Sequence, residues 1–172
     1  MKDSLPIRIG ISSCLLGNAV RYDGKHSRSD CILDSMGNLF EFIPFCPEVG
    51  VGMGIPRPPI QLVTFDGDIR VRGVSDTLYD ATDVLTAYAQ NNQDQFERLN
   101  GYIFKSRSPS CGLMDVNVYD SETNELVGTS SGQFSKTLVQ QYPNLPISDD
   151  VKLLDKKMRN DFIRRVQVYA QK

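Results

Sequence analysis

Four cysteines, Cys14, Cys31, Cys46 and Cys111, carry whatever soft chemistry this chain performs, because its one histidine, His26, excludes a site built on two or three imidazoles. A zinc-protease pair of the H-E-x-x-H type is excluded for the same reason. His26 itself reads as a surface or capping residue. Three of the cysteines stand in turn-forming strings: Ser12-Ser13-Cys14-Leu15-Leu16-Gly17, Phe45-Cys46-Pro47-Glu48 and Ser108-Pro109-Ser110-Cys111-Gly112. Proline and glycine beside a thiol suit a backbone that wraps a ligand, whereas a packing cysteine sits within a strand or on the apolar face of a helix. Cys31, followed by Ile32 and Leu33, fits that second description and reads as a small buried thiol. No C-x-x-C pair is present. Spacing alone therefore leaves three readings open: a three-thiolate metal site, a single nucleophilic cysteine, or structural thiols.

The elements that must position these thiols alternate between short strands and longer helical stretches, which predicts an α/β fold, a compact Rossmann-like domain with a mostly parallel sheet. Strands are expected over 7–13, 38–45 and 101–106, with a helix over 30–36. Each of the three loop cysteines follows one of those strands. In parallel sheets the loops after the strands converge on a ligand crevice, so residues 32 and 65 positions apart become neighbours. Asp66-Gly67 between residues 60–65 and 69–74 predicts a hairpin, and a second is expected over 116–127. The apolar spacing of Val84, Leu85, Tyr88, Phe96 and Leu99 predicts a helix over 77–99, and another is expected over 133–142 before Pro143.

Hydrophobic residues make up 40% of the 172 and charged residues 23%, which excludes a disordered or fibrous chain. No apolar stretch approaches the ~20 residues needed to cross a bilayer, and no cleavable leader is legible from Met1 to Ile11. A cytoplasmic location is expected, where thiols serve metals or nucleophilic chemistry more often than disulfides. The charge is unevenly spread. Residues 1–150 hold 12 Lys and Arg against 19 Asp and Glu, a net of −7, while residues 151–172 hold 7 against 2, a net of +5. In the tail, Leu154, Met158, Phe162, Val166 and Tyr169 form the apolar stripe of an amphipathic helix whose other side is basic, with Ser148, Asp149 and Asp150 as candidate caps. The division is drawn as a body over 1–148 and a basic helix over 149–172, either packed on the body or opening a second domain that this chain does not contain.

The strings Ser13-Cys14-Leu15-Leu16-Gly17, Arg21-Tyr22-Asp23-Gly24, Cys46-Pro47-Glu48-Val49, Gly54-Ile55-Pro56-Arg57-Pro58-Pro59 and Lys105-Ser106-Arg107-Ser108-Pro109-Ser110-Cys111-Gly112 resemble, in this order, the signature of the thiouracil desulfidase family. The resemblance runs from residue 7 to about residue 147. It implies a Rossmann-like α/β domain and a 4Fe-4S cluster on three cysteines matching Cys14, Cys46 and Cys111, the same three singled out by strand placement. Many short members carry a glutamate soon after the Pro-Arg-x-Pro string, where this chain has Gln61. That region and the tail Asn160 to Val166 look more like longer members with a second, helical domain, some of which resemble enzymes that remove sulfur from 4-thiouridine in transfer RNA.

What the resemblance implies chemically follows from ligand arithmetic. Three thiolates on four irons leave one iron open to a thiocarbonyl sulfur, and water can then replace that sulfur with no net redox change. Substrates would be a thiolated pyrimidine base or nucleoside, with transfer RNA reached through the missing domain and no membrane involved. Glu48, two residues beyond a ligand, is the candidate proton-transfer group, and Ser108 a second catalytic candidate. Arg21, Tyr22 and Asp23, with Ser110 and Lys105, are candidates for holding the heterocycle or a phosphate, although Asp23-Gly24 is equally a plain turn and the serines equally bonds for turn amides. The alternative from another class is a non-catalytic sensor or binding module whose metal or cluster merely orders the loops.

Overall fold

The computed structural model describes residues 6–172, so Lys2 and Asp3 at the charged start lie outside it. Four parallel strands form the first sheet: β1 (Arg8–Ser12), β2 (Glu41–Phe45), β5 (Gly101–Phe104) and β8 (Ile147–Asp149), in the order β2-β1-β5-β8. Side chains alternate across it as the pleat requires. Ile9, Ile11 and Ile103 face one side, where they meet α1 (Asp30–Met36) and α6 (Lys156–Tyr169). Tyr102 and Phe104 face the other, against Phe96 of α4 (Gln93–Phe96) and Phe134 and Leu138 of α5 (Gln133–Gln141). Gly10 in β1 is required by that packing, because a Cβ there would lie 2.4 Å from the Tyr102 ring.

A second sheet takes both expected hairpins, in the order β4-β3-β6-β7: β3 (Ile60–Phe65), β4 (Asp68–Gly73), β6 (Val116–Asp120) and β7 (Leu126–Ser130). Asp66 and Gly67, at φ 50° and 83°, make the left-handed two-residue turn that matches strand twist. The other turn is held by Asp120 Oδ1, which accepts from the Glu122 and Thr123 amides at 2.9 Å. Leu62, Val71, Val116 and Val118 pack against Ala81 and Leu85, the latter on α3 (Thr82–Asn91).

The helix expected over 77–99 is broken into α3 and the short α4, and residues 77–81 are not helical. Asp80 is drawn against β4 instead, pairing with Arg70 at 2.9 Å and Arg72 at 3.5 Å, and these bonds outcompete one more helical turn. Val84, counted on the apolar face, is exposed. At the other end, residues 147–149 add a strand to the first sheet. The tail helix begins at Lys156, where Asp155, not Ser148, Asp149 or Asp150, accepts the Met158 amide at 2.9 Å. Asp149 spends its carboxylate on the Lys152 amide. Phe162 and Val166 are fully buried in the core containing Ile9, so α6 is packed on the body; each such side chain contributes about 1.5–3 kcal/mol. Leu154 and Met158, at the start of the expected stripe, are exposed.

Candidate active site

The chain runs from β1 outward to β2 on one side and returns to β5 on the other, so the order switches between β1 and β5. Loops after these strands open on a crevice at such a switch point. A cavity of about 440 Å³ lies there, and Cys14, Cys46 and Cys111 all line it. All are free thiols.

Each thiol is held by a different local device. Cys14 sits in a single 3-10 turn (Ser13–Leu16) closed by Gly17 at φ 96°, a conformation natural to glycine. The loop that follows folds back on it: the Ser27 amide donates to the Cys14 carbonyl at 2.9 Å and the Ser29 amide to that of Leu15 at 3.0 Å. Cys46 is the residue before a one-turn helix, α2 (Pro47–Gly50), with proline at its first position where no amide is needed. Cys111 is placed by α5, which has no side-chain cap. Its unpaired first-turn amides, and that of Gly132, are taken up by the loop itself: Gly132, Gln133 and Ser135 donate to the carbonyls of Gly112, Pro109 and Ser110 at 2.9, 3.0 and 3.1 Å. Gly132 permits this approach, since a Cβ there would lie 2.5 Å from the Ser110 backbone.

Burial pushes all three thiols up: Cys14 to about 11 against the partial relief of Lys105 and Arg21, Cys46 in the same direction, and Cys111 well above the ordinary thiol range despite the Ser12 hydroxyl. Thiols so raised are protonated at neutral pH, and a metal bound by them would have to displace those protons. Among the described residues, no three His, Cys, Asp or Glu side chains converge tightly enough to hold a single metal ion.

Glu48, Arg21, Tyr22, Lys105 and Ser108 line the cavity, while Asp23 and Ser110 are not on its wall. Asp23 accepts the Lys25 amide and lies 3.6 Å from Arg21, as a turn residue does. Ser110, buried, donates to Glu48 Oε1 at 2.8 Å. Ser108 Oγ accepts the amides of Ser110 and Cys111 at 3.3 and 3.1 Å, bracing the loop that carries the thiol. Lys105 Nζ is gripped by Asp150 at 2.8 Å and Ser106 Oγ at 3.0 Å. Tyr22 is 44% exposed with the Arg21 guanidinium 5.7 Å from its ring centre. His26 is exposed, its Nδ1 accepting the Arg28 amide. Cys31 lies away from the cavity, its sulfur 3.2 Å from Arg159 Nη1.

Residue-by-residue reading of the sequence missed Arg57. Its guanidinium pairs with Glu48 Oε2 at 2.6 Å, and the two side chains are only 5% and 12% exposed. The string Pro56-Arg57-Pro58-Pro59 was the available signal: a cation between prolines is fixed in direction, but nothing local names its partner.

The sequence pattern of the 2-thiouracil desulfurase family matches residues 9–150. The chain is 29% identical over 108 residues to the uncharacterized protein YbbK of Bacillus subtilis (strain 168), covering 59% of this chain and 71% of that one. Its fold is similar to a solved structure of the 4Fe-4S-dependent thiouracil desulfidase TudS, with a TM-score of 0.68 and 25% identity over 90% of this chain and 98% of the other.

Proposed function

Because the chain belongs to the 2-thiouracil desulfurase family, we propose that it is an iron-sulfur-dependent desulfidase that replaces the sulfur of a thiolated pyrimidine with oxygen and releases sulfide. The observation that carries this reading is the meeting of three free thiols, from loops after three adjacent parallel strands, on one cavity. The donor set fits a cubane. Thiolates are the ordinary protein ligands of such a cluster, and three free thiols meet here with no imidazole on the cavity wall. Cys14, Cys46 and Cys111 would hold the cluster. A cluster held by three thiolates would have one iron without a protein ligand and would supply a thiophilic Lewis acid for a thiocarbonyl sulfur.

The chain's own residues hold the ring and move protons. Tyr22 offers a half-open aromatic face for a pyrimidine, with Arg21 beside it. Lys105, held by Asp150 on the cavity wall, has a third N–H that can meet a carbonyl oxygen of the base. Glu48 takes a proton from the water that adds to the C–S carbon. Ser108, whose oxygen already accepts two amides, keeps its hydroxyl proton for the base edge. One water oxygen replaces one sulfur, two protons leave with the sulfide, and no electrons are exchanged.

Protein reconstituted with iron and sulfide without oxygen is expected to turn brown, with absorption near ~400 nm, and to convert thiouracil and 4-thiouridine in a single turnover. A full cluster with both substrates untouched would instead favour a sensor.

Free base or nucleoside is the substrate of this chain by itself. Of the seven basic residues on the tail, four are engaged: Lys152 pairs with Asp149, Arg164 and Arg165 share Asp161, and Arg159 is spent on the Leu153 carbonyl at 2.7 Å. Phosphate affinity comes from cations free to meet it, so transfer RNA should bind weakly to these residues, and tight binding would need contacts from a further domain. Affinity measured over a salt series tests this: tight, strongly salt-dependent binding by residues 1–172 would remove the need for such a domain.

A further inference from the structure

We propose that Arg57 is a positioning residue that, through its backbone amide on one side and its guanidinium with Glu48 and Ser110 in series on the other, ties the three thiol-bearing loops to one another. These loops lie past the ends of their strands, where the ladder that joins β1, β2 and β5 no longer holds the backbone. Arg57 bridges them from outside. Its backbone amide donates to the Tyr22 carbonyl at 2.9 Å, on the loop that folds back over Cys14. Its Nε donates to Glu48 Oε2 at 2.6 Å, two residues beyond Cys46, and its Nη1 to the Gly54 carbonyl at 3.0 Å. Glu48 Oε1 then accepts from the Ser110 hydroxyl at 2.8 Å, next to Cys111. The Glu48 backbone is pinned as well, its carbonyl accepting the Met53 amide at 3.1 Å.

The strap is strong because it is buried. An exposed ion pair is screened and contributes little, whereas a mostly buried carboxylate held by a guanidinium on one oxygen and a hydroxyl on the other loses much when either partner is removed. Arginine is suited to this role where lysine is not, since its planar fork serves Glu48 and Gly54 at once. The functional meaning of the strap rests on the three thiols being cluster ligands; the strap itself is testable in the metal-free protein.

The test is brief native alkylation with iodoacetamide, each cysteine followed by mass spectrometry. In Arg57→Gln, Cys14, Cys46 and Cys111 are expected to react about tenfold faster or more, while Cys31, held by Arg159 elsewhere, keeps its rate. Ser110→Ala, which leaves the ion pair in place, is expected to quicken Cys111 alone. Combining the two should quicken Cys111 by less than the product of the single effects, because both cut one series of bonds. In cluster-loaded protein, Arg57→Gln should shorten the half-life of bound iron against a chelator, with Arg57→Lys in between. A response confined to Cys46, or an equal rise at all four cysteines, overturns the proposal. Should the wild type take up no cluster while the alkylation pattern changes as described, the strap stands and the desulfidase reading falls.

Discussion

Serine at Cys14, Cys46 or Cys111 is expected to abolish cluster retention, and serine at Cys31 to leave iron content and turnover unchanged. Loss of groups that merely orient a metal ligand costs about 10–100-fold in affinity, so loss of a ligand itself should exceed ~100-fold and leave little iron after anaerobic reconstitution and desalting. The apoprotein should tolerate the exchange less uniformly. Cys14 and Cys111 are buried, and a hydroxyl placed there without a partner costs about 1–3 kcal/mol, so alanine at each position separates instability from lost ligation. Iron and sulfide assays, with thermal unfolding of each apoprotein, make the comparison. Wild-type iron content in any of the three variants would remove that residue from the ligand set. Loss of iron in Cys31→Ser would show that the interface of α1 with α6, where Arg159 meets Cys31, also shapes the site.

Glu48→Gln is expected to slow desulfidation by about 100-fold or more while keeping the cluster and its spectrum. Glutamine has the same shape. Its one oxygen can accept from Arg57 Nε and its amide can donate to Ser110 Oγ, so both links of the strap survive. What is lost is the carboxylate that accepts the water's proton. The variant also leaves Arg57 buried without its counter-charge. Breaking a buried pair outright costs about 3–5 kcal/mol, and the retained hydrogen bonds should keep the loss below that. Single-turnover rates, iron content and the ~400 nm band together decide: an intact cluster with an undiminished rate moves proton transfer to another group, and a lost cluster makes Glu48 structural.

Much of this protein was legible in one dimension. The alternation of strands and helices, the Asp66-Gly67 turn and the buried α5 all follow from residue type and period, which act over a few neighbouring positions. So does the placement of Cys14, Cys46 and Cys111 after strands, because a chain that builds parallel strands must put the loops that follow them at one edge. The five strings around those loops point to the family for the same local reason. Only the tertiary structure decided what those loops touch. Period does not encode sheet order, so neither the pairing of Leu62 with Val118 across a second sheet nor the strand at 147–149 was readable. The retreat of helix α3 to Thr82 came from a bond between Asp80 and Arg70 that exists only once β4 is in place. Glu48 was legible as a proton-transfer candidate, but not its partners: it is clasped by Arg57, 9 positions away, and Ser110, 62 away. Cys111 is held by the unpaired amides of a helix that begins more than twenty residues later. Those bonds join groups of ordinary type, and their value comes from being removed together from water, a circumstance that only the folded arrangement of the sheet edge creates.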